Sequence, residues 1–121
     1  MTDDRNLPDL HLYCNGTNST YREGLFPGLL YSDGVKYIMD NGYAWFVTDA
    51  LSVICYGPRR VKQEPFLVIK LTVDPKTREA RMTMEDGNGA TKYRQKYCYT
   101  DAKQDLRLWY QNGLLYLPSE N

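Results

Sequence analysis

The stretch FLVIKLTVDPKTREARMTMEDGNGATKYRQKYCY, residues 66–99, decides the fold because apolar and polar side chains alternate through it. Leu67, Ile69 and Leu71 would lie on one face of a strand, since successive side chains of a strand point to opposite faces. The Asp-Gly-Asn-Gly segment at 86–89 favours a tight hairpin turn, because these residues tolerate positive φ. The pattern predicts an antiparallel meander of strands at 66–73, 78–85 and 90–99.

In the part of the chain before residue 58, apolar residues follow the spacing of helices and not the alternation of strands. Apolar residues recur three and four positions apart between residues 43 and 54, which is the pattern of a helix with one buried face. Gly57-Pro58 ends this helix because proline disfavours helical geometry in the residue before it. A shorter helix precedes it, capped by Ser32 or Asp33 and stopped by Asn41-Gly42. The two predicted helices span 33–41 and 43–56.

The C-terminal part carries a further helical pattern. Ala102, Leu106, Trp109 and Tyr110 would share one helix face, and Thr100-Asp101 offers a cap before them. Clusters of Asn, Gly, Ser, Thr and Pro elsewhere indicate loops. The pattern predicts a helix at 101–111, a last short strand at 114–117, and loops at 14–28 and 58–65.

Together these elements predict an α+β fold, with an antiparallel sheet of three to four strands and helices packed on one face. A chain of 121 residues is long enough for one domain with its own core. We expect a single globular domain at 10–121, preceded by a flexible N-terminal arm at 1–9. Fifteen basic residues balance fifteen acidic ones, so no net charge draws the chain to nucleic acid or to an anionic membrane.

The cysteine and histidine content argues against a metal site. Cys14, Cys55 and Cys98 are odd in number, far apart in sequence and form no Cys-x-x-Cys motif. Free thiols of a cytoplasmic protein explain them, and the polar N-terminus lacks the apolar segment of a secretory signal. His11 is the one histidine, and its pairing with Cys14 as a nucleophile rests on sequence proximity alone. We expect no metal and no cofactor.

Aromatic residues are abundant, with eleven tyrosines and two tryptophans, and several lie beside charged residues between positions 21 and 49. Without a catalytic motif nearby, this mixture favours a partner-binding surface. Tyrosine and tryptophan also bury well, so the same cluster could instead belong to the core. The predicted contact residues are Tyr21, Arg22, Tyr31, Asp33, Tyr43, Trp45 and Asp49, with Arg59, Arg60 and Lys62 as an electrostatic rim.

A second basic segment lies on the third predicted strand. Lys92, Arg94 and Lys96 alternate with tyrosines, so the basic and aromatic faces of this strand are opposite. Together with the cluster at 59–62, the basic face would suit phosphates. The tyrosines would then point away from the bases, which weakens a nucleic-acid hypothesis. If this strand lies at a sheet edge, its lysines also protect that edge from pairing.

An enzyme is an alternative if carboxylates meet in a pocket. Asp33 and Asp49 would have to converge, because general acid–base catalysis needs two nearby groups with different pKa values. Capping explains Asp33 at a helix start, whereas Asp49 lies in mid-helix, where aspartate is unfavourable, one turn after Trp45. The same pocket could instead sequester a small ligand.

Several segments between residues 10 and 120 have a recognisable order and spacing. The most specific are Leu30-Tyr31-Ser32-Asp33-Gly34-Val35 and the closing Leu117-Pro118-Ser119-Glu120. In this arrangement the chain resembles a family of small bacterial and phage proteins that consist of a domain of unknown function. The resemblance implies occurrence on phages, plasmids or other mobile elements. It implies no activity and therefore assigns no catalytic residue.

The leading hypothesis is a non-enzymatic binding protein of phage or mobile-element origin that occupies a protein surface. Inhibition of a host defence system is one form of that role. The alternatives are a small carboxylate-dependent enzyme or ligand-sequestering protein, and a nucleic-acid-binding protein that uses the basic loop and strand face. We expect a protein partner first and a small-molecule ligand second, with nucleic acid less favoured and no membrane association.

Overall fold

The computed structural model describes residues 20–21, 26, 28–100, 102 and 104–120, and the expected N-terminal arm lies outside them. Helices and strands in this part of the chain confirm the α+β class. The helical elements are α1 Asp33–Ile38, α2 Ala44–Tyr56, α3 Arg59–Lys62 and a 3-10 turn Pro118–Glu120, and the kinked turn Met39–Tyr43 joins α1 to α2. The strands are β1 Thr20–Tyr21, β2 Leu30–Ser32, β3 Phe66–Val73, β4 Ala80–Glu85, β5 Thr91–Tyr97, β6 Leu106–Gln111 and β7 Leu114–Tyr116.

The strands form one sheet in the order β1-β2-β7-β6-β3-β4-β5. β2 and β7 run parallel, with Tyr31 opposite Leu115, and the other neighbouring strands are antiparallel. The prediction of a purely antiparallel sheet of three to four strands is therefore wrong. In the described residues, six strands have three or more residues, and the two-residue β1 adds to one edge. The difference arises because β1 and β2 are too short for their alternation to stand out from a loop, and because β6 lies in the segment predicted as a helix.

The helix predicted at 101–111 is wrong, because residues 106–111 form the strand β6. Leu106 and Leu108 are buried while Arg107 between them is exposed, which is the alternation of a strand. Leu108 lies opposite Ile69 of the central strand β3. The apolar residues fit both a helical and a strand period. The pairing of β6 with β3 on one side and with β7 on the other overrides the helical pattern.

The N-terminal helices begin and end close to the predicted residues. Ser32 caps α1, since its Oγ accepts a hydrogen bond from the backbone N–H of Val35 at 3.2 Å. Asn41 and Gly42 leave helical geometry, and Gly42 has a φ of +102°, which confirms the left-handed stop. The chain turns there into α2, whose last residue precedes Gly57 as expected.

The polar loop predicted at 58–65 contains a short helix instead. Pro58 precedes α3 with extended backbone geometry, and the backbone N–H groups of Val61 and Lys62 bond back to its carbonyl oxygen. Val61 is buried, so one apolar side chain holds this basic segment against the core.

The predicted hairpin turn at 86–89 is confirmed. The Asp86 carboxylate accepts hydrogen bonds from the backbone N–H groups of Asn88 and Ala90, and Gly89 has a φ of +87°. The strands on either side are shorter than predicted. The strand expected at 78–85 begins at Ala80 because Arg78 has a φ of +63° and belongs to the preceding turn, and the strand expected at 90–99 spans only 91–97.

One face of the sheet carries the core. Buried side chains of β3, β4 and β6 pack with those of α1 and α2 in a single apolar cluster. The helices therefore lie on one side of the sheet. In the described part of the chain, no helix has both the length and the apolarity that a membrane crossing requires.

The two most specific sequence segments meet at Glu120, which is 5% exposed. Its carboxylate accepts hydrogen bonds from the Ser32 hydroxyl at 2.6 Å, the Gly34 N–H at 3.2 Å and the Leu117 N–H at 2.8 Å. A Cβ atom at Gly34 would lie 2.7 Å from atoms of Glu120 and Leu117, so this contact requires glycine. The closing 3-10 turn thus fastens the start of α1 to the end of β7.

Candidate partner-binding surfaces

The predicted aromatic contact residues do not form one surface. Tyr31 is 6% exposed and Tyr43 is fully buried, so these two are core residues. Tyr21 stacks on Tyr31 with ring centres 5.7 Å apart, and the Lys36 Nζ lies 5.5 Å from the centre of the Tyr21 ring. Arg22 lies outside the described residues. The alternative that part of this cluster is core therefore holds for Tyr31 and Tyr43.

Asp33 and Asp49 do not converge. Asp33 follows β2 directly, whereas Asp49 contacts Tyr97 of β5, and four strands lie between β2 and β5 in the sheet. At about 4.8 Å per strand, these two strands are roughly 24 Å apart. The pair that the carboxylate-dependent enzyme requires is not formed by these residues. Asp33 starts α1, and its buried Oδ1 has no hydrogen-bond partner among the described residues.

The predicted electrostatic rim lies on α3. Arg59, Arg60 and Lys62 are exposed, and the Arg60 Nε donates a hydrogen bond to the Lys92 carbonyl oxygen at 2.6 Å. This contact places the basic helix beside the first residues of β5. Since β5 is the edge strand, the bond also occupies one of the carbonyl groups of that edge.

Trp45 and Asp49 meet β5 near its other end. The Tyr97 hydroxyl donates a hydrogen bond to Asp49 Oδ2 at 2.7 Å. The Trp45 and Tyr97 rings are in edge contact, with centres 5.1 Å apart and planes at 76°. Tyr99 is 74% exposed. Trp45, Tyr97, Tyr99 and Thr100 line a depression of about 430 Å³. We call Trp45, Tyr97 and Tyr99 the aromatic corner.

Burial raises the pKa of the Tyr97 hydroxyl, and the hydrogen bond to Asp49 and the negative charge of Asp49 raise it further. All three effects favour the neutral phenol, because burial removes water from the charged form and ionisation would place a second negative charge beside Asp49. Tyr97 therefore keeps its proton and remains a hydrogen-bond donor, which fixes the Asp49 carboxylate beside the aromatic corner.

The opposite face of the sheet, which we call the open face, is covered by no helix in the described part of the chain. Its basic residues follow from the strand register. Arg107, Lys70, Thr83 and Arg94 lie side by side across β6, β3, β4 and β5. In the next row, Thr72, Arg81 and Lys96 lie side by side across β3, β4 and β5. The open face therefore carries five cations: Lys70, Arg81, Arg94, Lys96 and Arg107.

Carboxylates balance only part of this charge. Lys70 pairs with Glu85, and Lys96 pairs with Glu79, each at 3.3 Å. Among the described residues, the three arginines of the open face have no carboxylate within ion-pair distance. The predicted basic face of β5 is therefore present for Arg94 and Lys96. Lys92 lies at the register shift of β5 and contacts Glu64 and Asp86 instead, at 3.9 Å each.

An aromatic row borders these cations on the same face. Trp109 lies opposite Val68 of β3 and Tyr116 of β7. Its ring is in edge contact with Phe66 at 5.6 Å and with Tyr116 at 6.1 Å between centres. Trp109 and Phe66 are half-buried, so they present part of their aromatic surface on the face that carries Arg107 and Lys70.

Sequence reasoning missed the open face because the helix predicted at 101–111 placed Trp109 on the same side as Leu106. In the strand, Trp109 and Leu106 point to opposite faces of the sheet. The signal was present in the alternation of Leu106, Leu108 and Tyr110 with Arg107 and Trp109. The sequence could not show that Arg81 and Arg107 lie on the same face of the sheet as Arg94, since the strand order and register set that arrangement.

Comparison with known proteins adds the family. The chain belongs to the Family of unknown function (DUF6876), whose model matches residues 7–121. No curated protein and no solved structure matches the chain. The DUF6876 match includes both segments that meet at Glu120 and all strands of the open face.

Proposed function

We propose that this DUF6876 protein is a non-enzymatic binding protein that attaches the open face of its sheet to an acidic surface of another protein in the cytoplasm. The observation that carries the proposal is a set of three arginines that have no carboxylate partner among the described residues and lie on the same sheet face as the half-buried Trp109 and Phe66. Arginine and tryptophan are the side chains that most often dominate protein interfaces.

Charge complementarity selects the partner. Arginines fork onto carboxylates with two parallel hydrogen bonds, so Arg81, Arg94 and Arg107 suit clustered Asp and Glu side chains. The aromatic row would pack against an apolar patch next to those carboxylates, which excludes water from the centre of the contact. The charges of the open-face arginines steer the encounter, and the aromatic side chains supply the buried area.

Origin on a phage or another mobile element, and inhibition of a host defence system, are the finer form of this proposal. The resemblance and the small size of the chain support it. Occupying a surface needs no catalytic residues, so a DUF6876 domain could inhibit by covering its partner. Expression of the protein in a host with defined defence systems, followed by phage challenge, tests this role. We expect the wild-type protein to restore phage growth and the double variant Arg94→Glu/Arg107→Glu to lose this effect.

Capture experiments with matched variants test the binding surface. Arg94→Glu combined with Arg107→Glu reverses two open-face charges, and Arg59→Glu combined with Lys62→Glu reverses two exposed charges on α3. Tagged proteins are incubated with nuclease-treated host lysate, and captured proteins are quantified by mass spectrometry. We expect a partner that the wild type and the α3 variant retain and the open-face variant loses at least tenfold. Equal capture by all three proteins would contradict the proposal.

Single-stranded nucleic acid is the second candidate ligand. The open face places half-buried aromatic rings and cations on one side of the sheet, which removes the objection that the β5 tyrosines point away. Aromatic rings on a basic sheet surface can stack with bases while cations contact phosphates. Titration of fluorescent single-stranded DNA and RNA at two salt concentrations tests it. Binding that weakens steeply with salt and is lost in Arg94→Glu/Arg107→Glu would favour this candidate.

A further inference from the structure

The aromatic corner and Asp49 lie apart from the open face, on the helical side of the sheet. Tyr97 is opposite Ala80 in the β4–β5 pair, on the face that carries the core, while its neighbour Lys96 lies on the open face. The proposed partner surface therefore does not include the aromatic corner. A ligand of the corner has to be inferred from the residues of the corner itself.

The corner combines aromatic faces with a nearby carboxylate. Aromatic faces carry negative charge density, and Trp45 and Tyr97 stand nearly perpendicular, at 76°, so they form two walls. The Asp49 carboxylate accepts a hydrogen bond from the neutral Tyr97 hydroxyl, and no Lys or Arg forms an ion pair with it among the described residues. A cation is the ligand that this combination attracts.

Tyr99 forms the third wall of the corner, and hydrogen bonds of the following residue fix the backbone beside it. Tyr99 is exposed, but the next residue, Thr100, is buried, and its N–H bonds to the Arg78 carbonyl oxygen at 2.8 Å. The Thr100 hydroxyl also accepts a hydrogen bond from the N–H of Ala102 at 3.1 Å. The backbone beside Tyr99 is thus fixed before any ligand arrives, which reduces the entropy cost of binding.

We propose that Trp45, Tyr97 and Tyr99, which line the depression with Thr100, bind an alkylated ammonium group, and that the negative charge of the nearby Asp49 carboxylate favours this cation. The depression of about 430 Å³ is within the range of small-ligand sites, which is roughly 300–1,000 Å³. Aromatic rings favour a quaternary ammonium over a simple ammonium, because methyl groups spread the charge over a surface that the rings can cover. The group could come from a choline-type small molecule or from a methylated lysine side chain.

Tryptophan fluorescence tests this site directly. Trp109→Phe leaves Trp45 as the one tryptophan, so a change in emission reports on the corner. Tetramethylammonium chloride is titrated against sodium chloride at equal ionic strength. The neutral analogue 3,3-dimethyl-1-butanol serves as the isostere of choline without its charge. We expect saturable quenching by tetramethylammonium and choline, with at least about fivefold weaker binding of the neutral analogue, from the cation–π contribution.

Matched variants decide between the corner and a nonspecific effect. Asp49→Asn removes the charge and keeps an acceptor for Tyr97, and Tyr99→Ala removes the exposed wall. Each should weaken choline binding about tenfold, whereas Asp40→Asn, an equal charge change on the exposed surface between α1 and α2, should not. A peptide with trimethyl-lysine is titrated alongside choline, and the tighter ligand identifies the source. Equal quenching by the neutral analogue, or full binding in Tyr99→Ala, would overturn the proposal.

Discussion

At the scale of single residues, Glu120 shows how the end of the described chain stabilises a distant helix. One carboxylate satisfies the Ser32 hydroxyl and the backbone N–H groups of Gly34 and Leu117. A negative charge at the start of a helix is also favourable, because the first N–H groups carry partial positive charge. The closing Leu-Pro-Ser-Glu segment, which is one of the segments that carry the family resemblance, thus has a structural role: its Glu120 anchors the fold.

Glu120→Ala should lower the free energy of unfolding by about 2–4 kcal/mol, because three buried donors lose their acceptor. Glu79→Ala is the matched control, since it breaks a surface ion pair with Lys96 and should cost less than about 1 kcal/mol. Urea unfolding followed by circular dichroism measures both variants. A loss at Glu120 no larger than that at Glu79 would show that the anchor does not stabilise the fold.

The raised pKa of Tyr97 predicts a loss of stability at alkaline pH. Above the unfolded-state value of 10.0, the unfolded chain releases this proton while the folded protein keeps it. The contribution of Tyr97 to stability is therefore complete below that pH and decreases as the pH rises through it. Urea unfolding of wild type and Tyr97→Phe at about pH 8 and about pH 10.5 measures the effect. The wild type should lose more stability between the two pH values, and parallel losses would contradict the assignment.

At the scale of elements, β6 is the position where local pattern and tertiary structure disagree. Ala102, Leu106, Trp109 and Tyr110 satisfy a helical period, and Leu106, Leu108 and Tyr110 satisfy a strand period. Pairing with β3 on one side and β7 on the other decides for the strand. A local pattern contains no information about those partners, so the sequence alone favoured the wrong period.

Leu108 distinguishes the two structures by mutation. In the strand it is fully buried opposite Ile69, whereas in a helix at 101–111 it would lie off the apolar face. Leu108→Ala should therefore cost about 2–5 kcal/mol in unfolding free energy. Arg107→Ala, at the exposed neighbouring position, should cost less than about 0.5 kcal/mol. Thermal or urea unfolding of both variants checks the expectation, and tolerance of Leu108→Ala would favour the helix.

Other elements could be predicted because their signals are local. The hairpin turn at 86–89 and the stop at Gly42 depend on residues that accept positive φ, and the alternation in β3 depends on its own side chains. The parallel pairing of β2 with β7 joins segments about eighty residues apart, with Tyr31 opposite Leu115. A contact of that separation leaves no pattern in either segment.

At the scale of the whole molecule, zero net charge conceals an uneven distribution. The open face carries five cations, and among the described residues only Lys70 and Lys96 of these pair with a carboxylate. Composition argued against a polyanionic partner, but binding depends on the local potential of a surface and not on the total. Only the strand order and register place Arg81, Arg94 and Arg107 on one face of the sheet.

The aromatic corner could be predicted only in part from the sequence, because some of its contacts are local and others join distant segments. Trp45 and Asp49 are one helical turn apart, so the sequence could place them together. Their contact with Tyr97, and the burial of Tyr43 beside Trp45, required the packing of α2 on the sheet. Two surfaces follow, a basic open face and an acidic aromatic corner, and they predict two different ligands.

Photo-crosslinking inside the producing cell tests the central claim, that the open face contacts a protein partner, most directly. A photoreactive phenylalanine analogue replaces Gln111, which is exposed beside Trp109 on the open face, or Tyr56, which is 63% exposed on the helical side. After illumination, we predict a nuclease-resistant covalent adduct with one protein from position 111 and none from position 56. An adduct from position 56 alone, or an adduct at position 111 that nuclease removes, would contradict the account.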